Sequence, residues 1–348
     1  MAHLIDQTTG MDAIAFVGDT PWHGLGQRLT PGQSIDVWRK EAGLDYTVCR
    51  SPVQFATTQR VALTEMEDRH VLYRNDTGAP LSVVSKDYRV VQPGEVLEFF
   101  GKLAEIGGFE LETSGALADG KKIWGLAKVH DGAPVIGHDI VRPYVLLATS
   151  FDGTLATTAK FTAVRVVCNN TLTMSVGQQT ADGFRGKTED DTEGRAVSTQ
   201  VRVPHSAKFN HDEVRRSLGI VADVYDKWLI QTRMLAEQAM NIDQADIFTY
   251  RLVDSITNPN DKIDIRKNRV YRRIMDIFTG DMIGGELTGG LNRWRMLNAV
   301  TEYSDWERGR TPSTRMQSAW FGSSEGMKNR AYQMLASNES FKVLKAAA

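Results

Sequence analysis

Cysteine is almost absent. Cys49 and Cys168 are the two cysteines in 348 residues. They supply neither a disulfide framework nor a paired-cysteine metal motif. Such a chain is expected in a reducing, cytoplasmic compartment. Long apolar runs are missing too, so no membrane span is expected. The amino-terminal stretch MAHLIDQTTGMDAIAFVGD lacks a basic segment followed by an apolar one, so no signal peptide is expected. The seven histidines are scattered and none falls in HxxxH or HExxH spacing. His205 and His211 are six positions apart across a predicted loop–helix junction, which does not suit a metal.

Other chemical signatures are lacking as well. There is no GxxxxGK[ST] motif. The glycine-rich stretches at 23–26 (HGLG) and 284–290 (GGELTGG) follow neither the P-loop nor the dinucleotide pattern. No GxSxG occurs, and no nucleophile stands beside a recognisable base. Cys168 ends an apolar strand and reads as a buried thiol. Asp190 and Asp191 lie in a solvated acidic run. No catalytic residue, cofactor or metal is therefore assigned, and the protein is expected to be non-enzymatic. The net charge of −2 gives no whole-molecule attraction to nucleic acid, so any such binding must come from a local patch.

What is present is an ordinary globular composition, 41% hydrophobic and 24% charged, long enough for about two domains. The clearest stretch is 143–176. Asp152-Gly153 between two β-rich runs predicts a two-residue hairpin turn. That turn would set Tyr144 opposite Phe161 and Leu146 opposite Ala159 on one face. The second strand would end at Val166-Val167-Cys168, with Asn169 and Asn170 capping a helix from Thr171.

Upstream, residues 1–44 read as irregular with one short helix over 35–41, capped by Ser34 and ended by Gly43. Period-two alternation predicts strands near 45–49, 60–65, 69–74, 81–85 and 88–91. Pro93 opens a helix whose apolar face is Val96, Phe99, Phe100 and Leu103. Strands over 109–117 and 122–129 follow, joined by an Asp119-Gly120 turn. Residues 45–176 thus form a β-rich α+β unit.

Residues 177–209 are polar and glycine-rich and read as an exposed loop or linker, or as a long hairpin finger given the strand character of 197–203. The rest, 210–348, reads as helical. Asn210 and Glu213 suggest a capping box. Val214, Leu218, Val221, Tyr225, Trp228, Thr232, Leu235 and Ala239 form a heptad-like seam, expected to pack on its own domain. Further helices are predicted near 243–256, 265–279, 291–307 and 324–337. The fold class is therefore α+β, with a hairpin-rich antiparallel sheet in the first half and helices in the second.

One feature points to a ligand. Lys262, Arg266, Lys267, Arg269, Arg272 and Arg273 put six cations in twelve residues against one acid, Asp264. On a helix Val270, Ile274, Ile277 and Phe278 fall on one arc and Arg266, Arg269, Arg272 and Arg273 on its neighbour. The first arc would anchor the helix, and the second would meet phosphates. A solvated, salt-bridged helix face is the plain alternative. Over 262–330 there are thirteen basic and eight acidic residues. Lys160 and Arg165, on opposite faces of the central hairpin, are secondary candidates for lining a groove. Trp294 and Trp306 are expected to pack in a helical core rather than stack on bases.

Four stretches carry a family resemblance: residues 20–26 (TPWHGLG), 88–92 (YRVVQ), 161–172 (FTAVRVVCNNTL) and 298–303 (NAVTEY). In this order they resemble the phage/plasmid-like proteins of the family called domain of unknown function 932. The resemblance implies a gene carried by a phage, prophage or plasmid and a protein working in a bacterial cytoplasm. It implies no mechanism and transfers no catalytic residue. The alternation of hairpins and helices is loosely similar to single-strand annealing proteins, which form rings and bind DNA in a basic groove; this is a fold-level analogy.

The expectation is a DNA-binding protein of a mobile element acting in recombination or replication, holding single-stranded DNA as a homo-oligomer, with no membrane partner. The competing expectation is an interaction protein that modulates a host factor or defence system through the heptad seam and the acidic run at 188–193.

Overall fold

Residues 5–18, 24–58, 60–106, 109–165, 170–173, 200–210, 221–257, 264–283, 289–309, 318–320 and 322–337 are described by a computed structural model. The architecture is α+β. β1 (Ile14–Val17), β2 (Gln27–Leu29) and α1 (Ile35–Glu41) come first. A small antiparallel sheet follows, ordered β3 (Val48–Thr57), β4 (Arg60–Arg74), β5 (Pro80–Ser85). After α2 (Pro93–Ile106) come β6 (Glu110–Leu117), β7 (Lys122–Lys128), β8 (Ala133–Ile136), β9 (Asp139–Ser150), β10 (Thr157–Arg165), β11 (Asn170–Thr173) and β12 (Gln200–Val203). The large sheet runs β11-β10-β9-β7-β6-β1-β2. β8 pairs with β9, and β12 takes the part of the β10 edge that β11 leaves. Among the described residues only β1 and β2 pair in parallel.

Local signals explain several elements. The Ser34 side chain accepts from Val37 N–H at 3.4 Å and opens α1, and Gly43 at φ +66° follows its end. Pro93 starts α2, where its missing N–H costs nothing. Val96, Leu97, Phe99, Phe100 and Leu103 of α2 are buried, and the helix packs on β6 and β7. Phe100 lies directly over Gly125, where an added Cβ would run into the ring. Gly125→Ala is therefore expected to lower stability by about 1–3 kcal/mol through overpacking. Urea unfolding reads this loss. Phe100→Leu in the same chain should restore part of it.

Four expectations are corrected. The 9–10 hairpin does not turn on two residues: β9 ends at Ser150 and β10 begins at Thr157. The Asp152 carboxylate accepts from the Thr154 N–H (3.0 Å) and hydroxyl (2.6 Å), and Ser150 Oγ accepts from Leu155 N–H at 3.0 Å. This side-chain scaffold widens the loop. Phe161 therefore faces Val145, and Thr162 faces Tyr144. A slip of one residue regroups every side chain across the pair. Second, residues 170–173 are strand β11 rather than a capped helix, since β10 offers them an open edge. Third, the amino-terminal segment is not wholly irregular: β1 pairs with β6 inside the large sheet. Of the expected linker, residues 200–203 form β12. Fourth, the predicted strand at 88–91 is irregular chain leading into α2.

The second half supplies α3 (Val221–Glu237), α4 (Ile242–Asp254), a 3-10 turn (Ile265–Lys267), α5 (Arg269–Thr279), α6 (Arg293–Glu302), a π turn (Tyr303–Glu307) and α7 (Ser323–Ala336). Glu213 of the expected cap and the seam residues Val214 and Leu218 fall outside the described residues. Tyr225, Trp228, Thr232 and Leu235 of the seam are buried, whereas Ala239 is exposed beyond the helix end. One hydrophobic cluster joins sheet residues such as Val145 and Phe161 to Trp228, Phe248 and Trp294. Polar ties cross the same boundary: Trp294 Nε1 donates to Asp139 at 2.7 Å, and the Tyr225 hydroxyl to the Val141 carbonyl at 2.9 Å.

Candidate nucleic-acid interface

α5 is built to present cations. Asp264 caps the preceding 3-10 turn, accepting from Arg266 N–H at 3.2 Å, and Asn268 caps α5, accepting from Val270 N–H at 2.8 Å. Tyr271, Ile274, Ile277 and Phe278 are buried, and the helix packs between α4 and α6. The predicted apolar arc is therefore the seated face. The arginines fall on the other side, as the 3.6-residue period requires.

The four arginines divide into two pairs. Arg266 forks onto Asp246, with Nε at 2.9 Å and Nη2 at 2.6 Å, and lies 5.1 Å from the Tyr250 ring centroid. The Tyr271 hydroxyl donates to the same carboxylate. The Arg266 bonds hold Asp246 below the usual carboxylate range, while burial and then the Asp246 bond push Tyr271 up to about 12. Arg273 Nε is shared by both Glu307 oxygens at 2.6 and 2.8 Å. Arg269 and Arg272 differ. Both are exposed, three positions apart on one face, and neither has an ion pair among the described residues. Lys267 is exposed beside them and loosely paired with Asp264 at 3.3 Å. Lys262 lies outside the described residues.

The two secondary candidates do not join this face. Lys160 is 4% exposed, and its Nζ donates to the Trp320 carbonyl and to Glu325 Oε1 at 2.8 Å. The expectation that it lines a groove is corrected: its sheet face is covered by α7 and Trp320, and an interior ion pair does not reach a ligand's phosphate. Arg165 is the last residue of β10, with its backbone opposite Val141 and Asn170. Its side chain lies outside the described residues.

The wider basic count is also spent inside the fold. Arg295 is buried and donates to the carbonyls of Phe278 and Gly280 at the end of α5. Arg293 reaches the Leu335 carbonyl near the end of α7 at 2.8 Å, and Arg330 the Ser255 carbonyl after α4 at 3.2 Å. These are cations at helix C-termini, where unpaired carbonyls and the helix dipole favour them. Lys328 is buried and bonded to Asp305 at 2.7 Å. Trp294 is fully buried, as expected of a core residue.

Sequence reasoning missed the charged interior altogether. Lys160–Glu325 and Lys328–Asp305 form one buried ionic cluster between β10, α7 and the π turn. Burial pushes the Lys160 ammonium down in pKa, and the Glu325 carboxylate pulls against that shift. No sequence signal marks a pair separated by 165 positions. Among the described residues no group of three or more His, Cys, Asp or Glu side chains is arranged to hold a metal ion, and no helix is long and apolar enough to cross a membrane. The rival interaction elements fare differently: Tyr225, Trp228, Thr232 and Leu235 of the seam are buried within their own chain, and 188–193 lie outside the described residues.

Fold and site together define a mixed α+β protein whose helical half exposes an arginine-bearing helix. The family model "Domain of unknown function (DUF932)" matches residues 80–187 and 191–321. The chain belongs to that family. No curated protein and no solved structure matches it.

Proposed function

We propose that the protein is a non-enzymatic DNA-binding protein of a phage or plasmid, working in the cytoplasm of a bacterial host in recombination or replication. It holds the phosphate backbone, single-stranded DNA above all, on the outer face of α5. One observation carries this reading: Arg269 and Arg272 stand exposed on a firmly seated helix, and among the described residues no carboxylate pairs with either of them. Unpaired guanidinium groups at i and i+3 can each take one phosphate of a strand and release its counterions. Arg266 and Lys267 flank them and add positive field.

Fluorescence anisotropy with a labelled single-stranded oligonucleotide and with its duplex, at low and near-physiological salt, tests this. Salt-sensitive binding with preference for the single strand is expected. Arg269→Glu with Arg272→Glu should weaken it and reduce the log–log salt slope by about 1.4, two phosphates' worth on a single strand. Flat curves for both oligonucleotides at low salt would end the DNA reading. Unchanged affinity in the double variant would remove α5 from it.

A further inference from the structure

Beyond Val48, the small sheet has an edge that no described residue closes. At its base, the Val48 N–H and carbonyl both bond the Gln92 side-chain amide, at 2.9 and 3.0 Å. Val48 therefore turns its backbone groups outward, and alternation turns those of residues 50, 52, 54 and 56 the same way. Beyond Val48 this edge meets no backbone partner among the described residues. β5 pairs β4 only over residues 69–73, so beyond the irregularity at Pro52/Val53 the β3–β4 ribbon is two-stranded. An isolated two-stranded ribbon is marginally stable in water.

The composition of this edge is unusual. Residues 51–59 (SPVQFATTQ) hold no charged side chain, whereas exposed edges are normally blunted by charge. The charges Arg60, Glu65, Glu67, Asp68 and Arg69 all sit one strand inward, on β4. Val53, Phe55 and Met66 share one face, because Val53 pairs with Met66 and Phe55 lies two residues on. Phe55 is 46% and Met66 41% exposed. Pro52, which has no N–H to give, marks where edge pairing stops on the body side.

We propose that the outer edge of β3, over residues 53–57, pairs antiparallel with the same strand of a second copy of this chain. The two three-stranded sheets then continue into one another across a two-fold axis. A second copy fits because isologous pairing sets a strand against itself, where like charges would repel, and residues 53–57 carry none. Centred on Phe55, the pairing sets the two Phe55 rings opposite each other and Val53 opposite the partner's Thr57. It joins the Val53, Phe55 and Met66 faces of the two copies into one. It stands whether or not α5 binds nucleic acid.

The test is the mass of the full-length protein by light scattering after size exclusion, over a range of concentrations. The expected mass is twice 38.7 kDa. Gln54→Pro removes an outward N–H at the centre of the pairing, and Phe55→Lys places like charges face to face. Each should weaken dimerisation at least tenfold, with the far-ultraviolet circular dichroism of the parent. Phe55→Cys in a Cys49→Ser, Cys168→Ser background should give a disulfide-linked dimer on mild oxidation. A monomer at all concentrations, an assembly larger than two, or a dimer indifferent to both edge variants would overturn the proposal.

Discussion

Arg74→Met is expected to cost about 3–5 kcal/mol, the usual penalty for breaking a buried ion pair from one side. Arg74 is 1% exposed and joins three parts of the fold. Its Nη1 donates to Asp6 and, at 3.1 Å, to Thr8; Nε and Nη2 fork onto Asp76 at 2.9 and 2.7 Å. The guanidinium lies 4.0 Å from the Tyr46 ring centroid, and the Tyr46 hydroxyl donates to the Gly120 carbonyl at 3.1 Å. Gly120, at φ +79°, lets the β6–β7 turn close over the guanidinium, since a Cβ there would stand 2.8 Å from Nη1. The small sheet, the amino-terminal segment and the large sheet therefore meet at one planar cation. Methionine fills the volume but strands the buried Asp6 carboxylate. Arg74→Lys should recover little, because an ammonium cannot satisfy both carboxylates and the ring at once. Urea unfolding reads both variants; a loss under about 1 kcal/mol for Arg74→Met would show that the cluster is not the joint described.

Glu325→Gln should bring a loss of similar size near neutral pH, and one that depends on pH. The variant keeps the shape but removes the carboxylate that stabilises the buried Lys160 ammonium. Burial already lowers the Lys160 pKa from its ordinary 10.5, and without Glu325 it falls further. Between that depressed folded value and 10.5 the unfolded chain binds more protons than the folded one, so stability rises with pH across the window. The deficit of Glu325→Gln is then greatest near neutral pH and shrinks as pH climbs between the variant's and the parent's folded Lys160 values, both of which lie below 10.5. Thermal melts from neutral to alkaline pH would show the gap to the parent closing. A constant gap would mean that Lys160 is already neutral in the fold. Lys160→Met with Glu325→Leu, which removes both charges, should be far less destabilised than Glu325→Gln.

Much of the secondary structure was legible because its causes are local. The Ser34 cap, Pro93 at the head of α2, and the apolar period of α5 each act within a few residues, and each element formed where they place it. The hairpin register was misread because Ser150 and Asp152 use their side chains to bond the loop backbone, which no count of turn residues reveals. β11 was misread as a capped helix because the open edge of β10 outweighs the capping preference of two asparagines.

The candidate site was half legible. The arc that seats α5 follows from helical period alone. Which of its arginines stay unpaired does not, because Arg266 meets Asp246 across 20 positions and Arg273 meets Glu307 across 34. The charge count over 262–330 overstated the free cations for the same reason, since Arg293, Arg295 and Lys328 bond groups of the fold itself.

By itself, then, the sequence determined the α+β class, most of the helices, the seated face of α5 and the absence of charge along residues 51–59. Those properties arise from backbone geometry and from neighbours a few residues apart. Tertiary structure alone decided the register of the sheet, the burial of Lys160 and Arg74, and the division of the α5 arginines into paired and unpaired. Each of these depends on which distant carboxylate, carbonyl or strand edge arrives beside a group, and that is set by packing rather than by spacing along the chain.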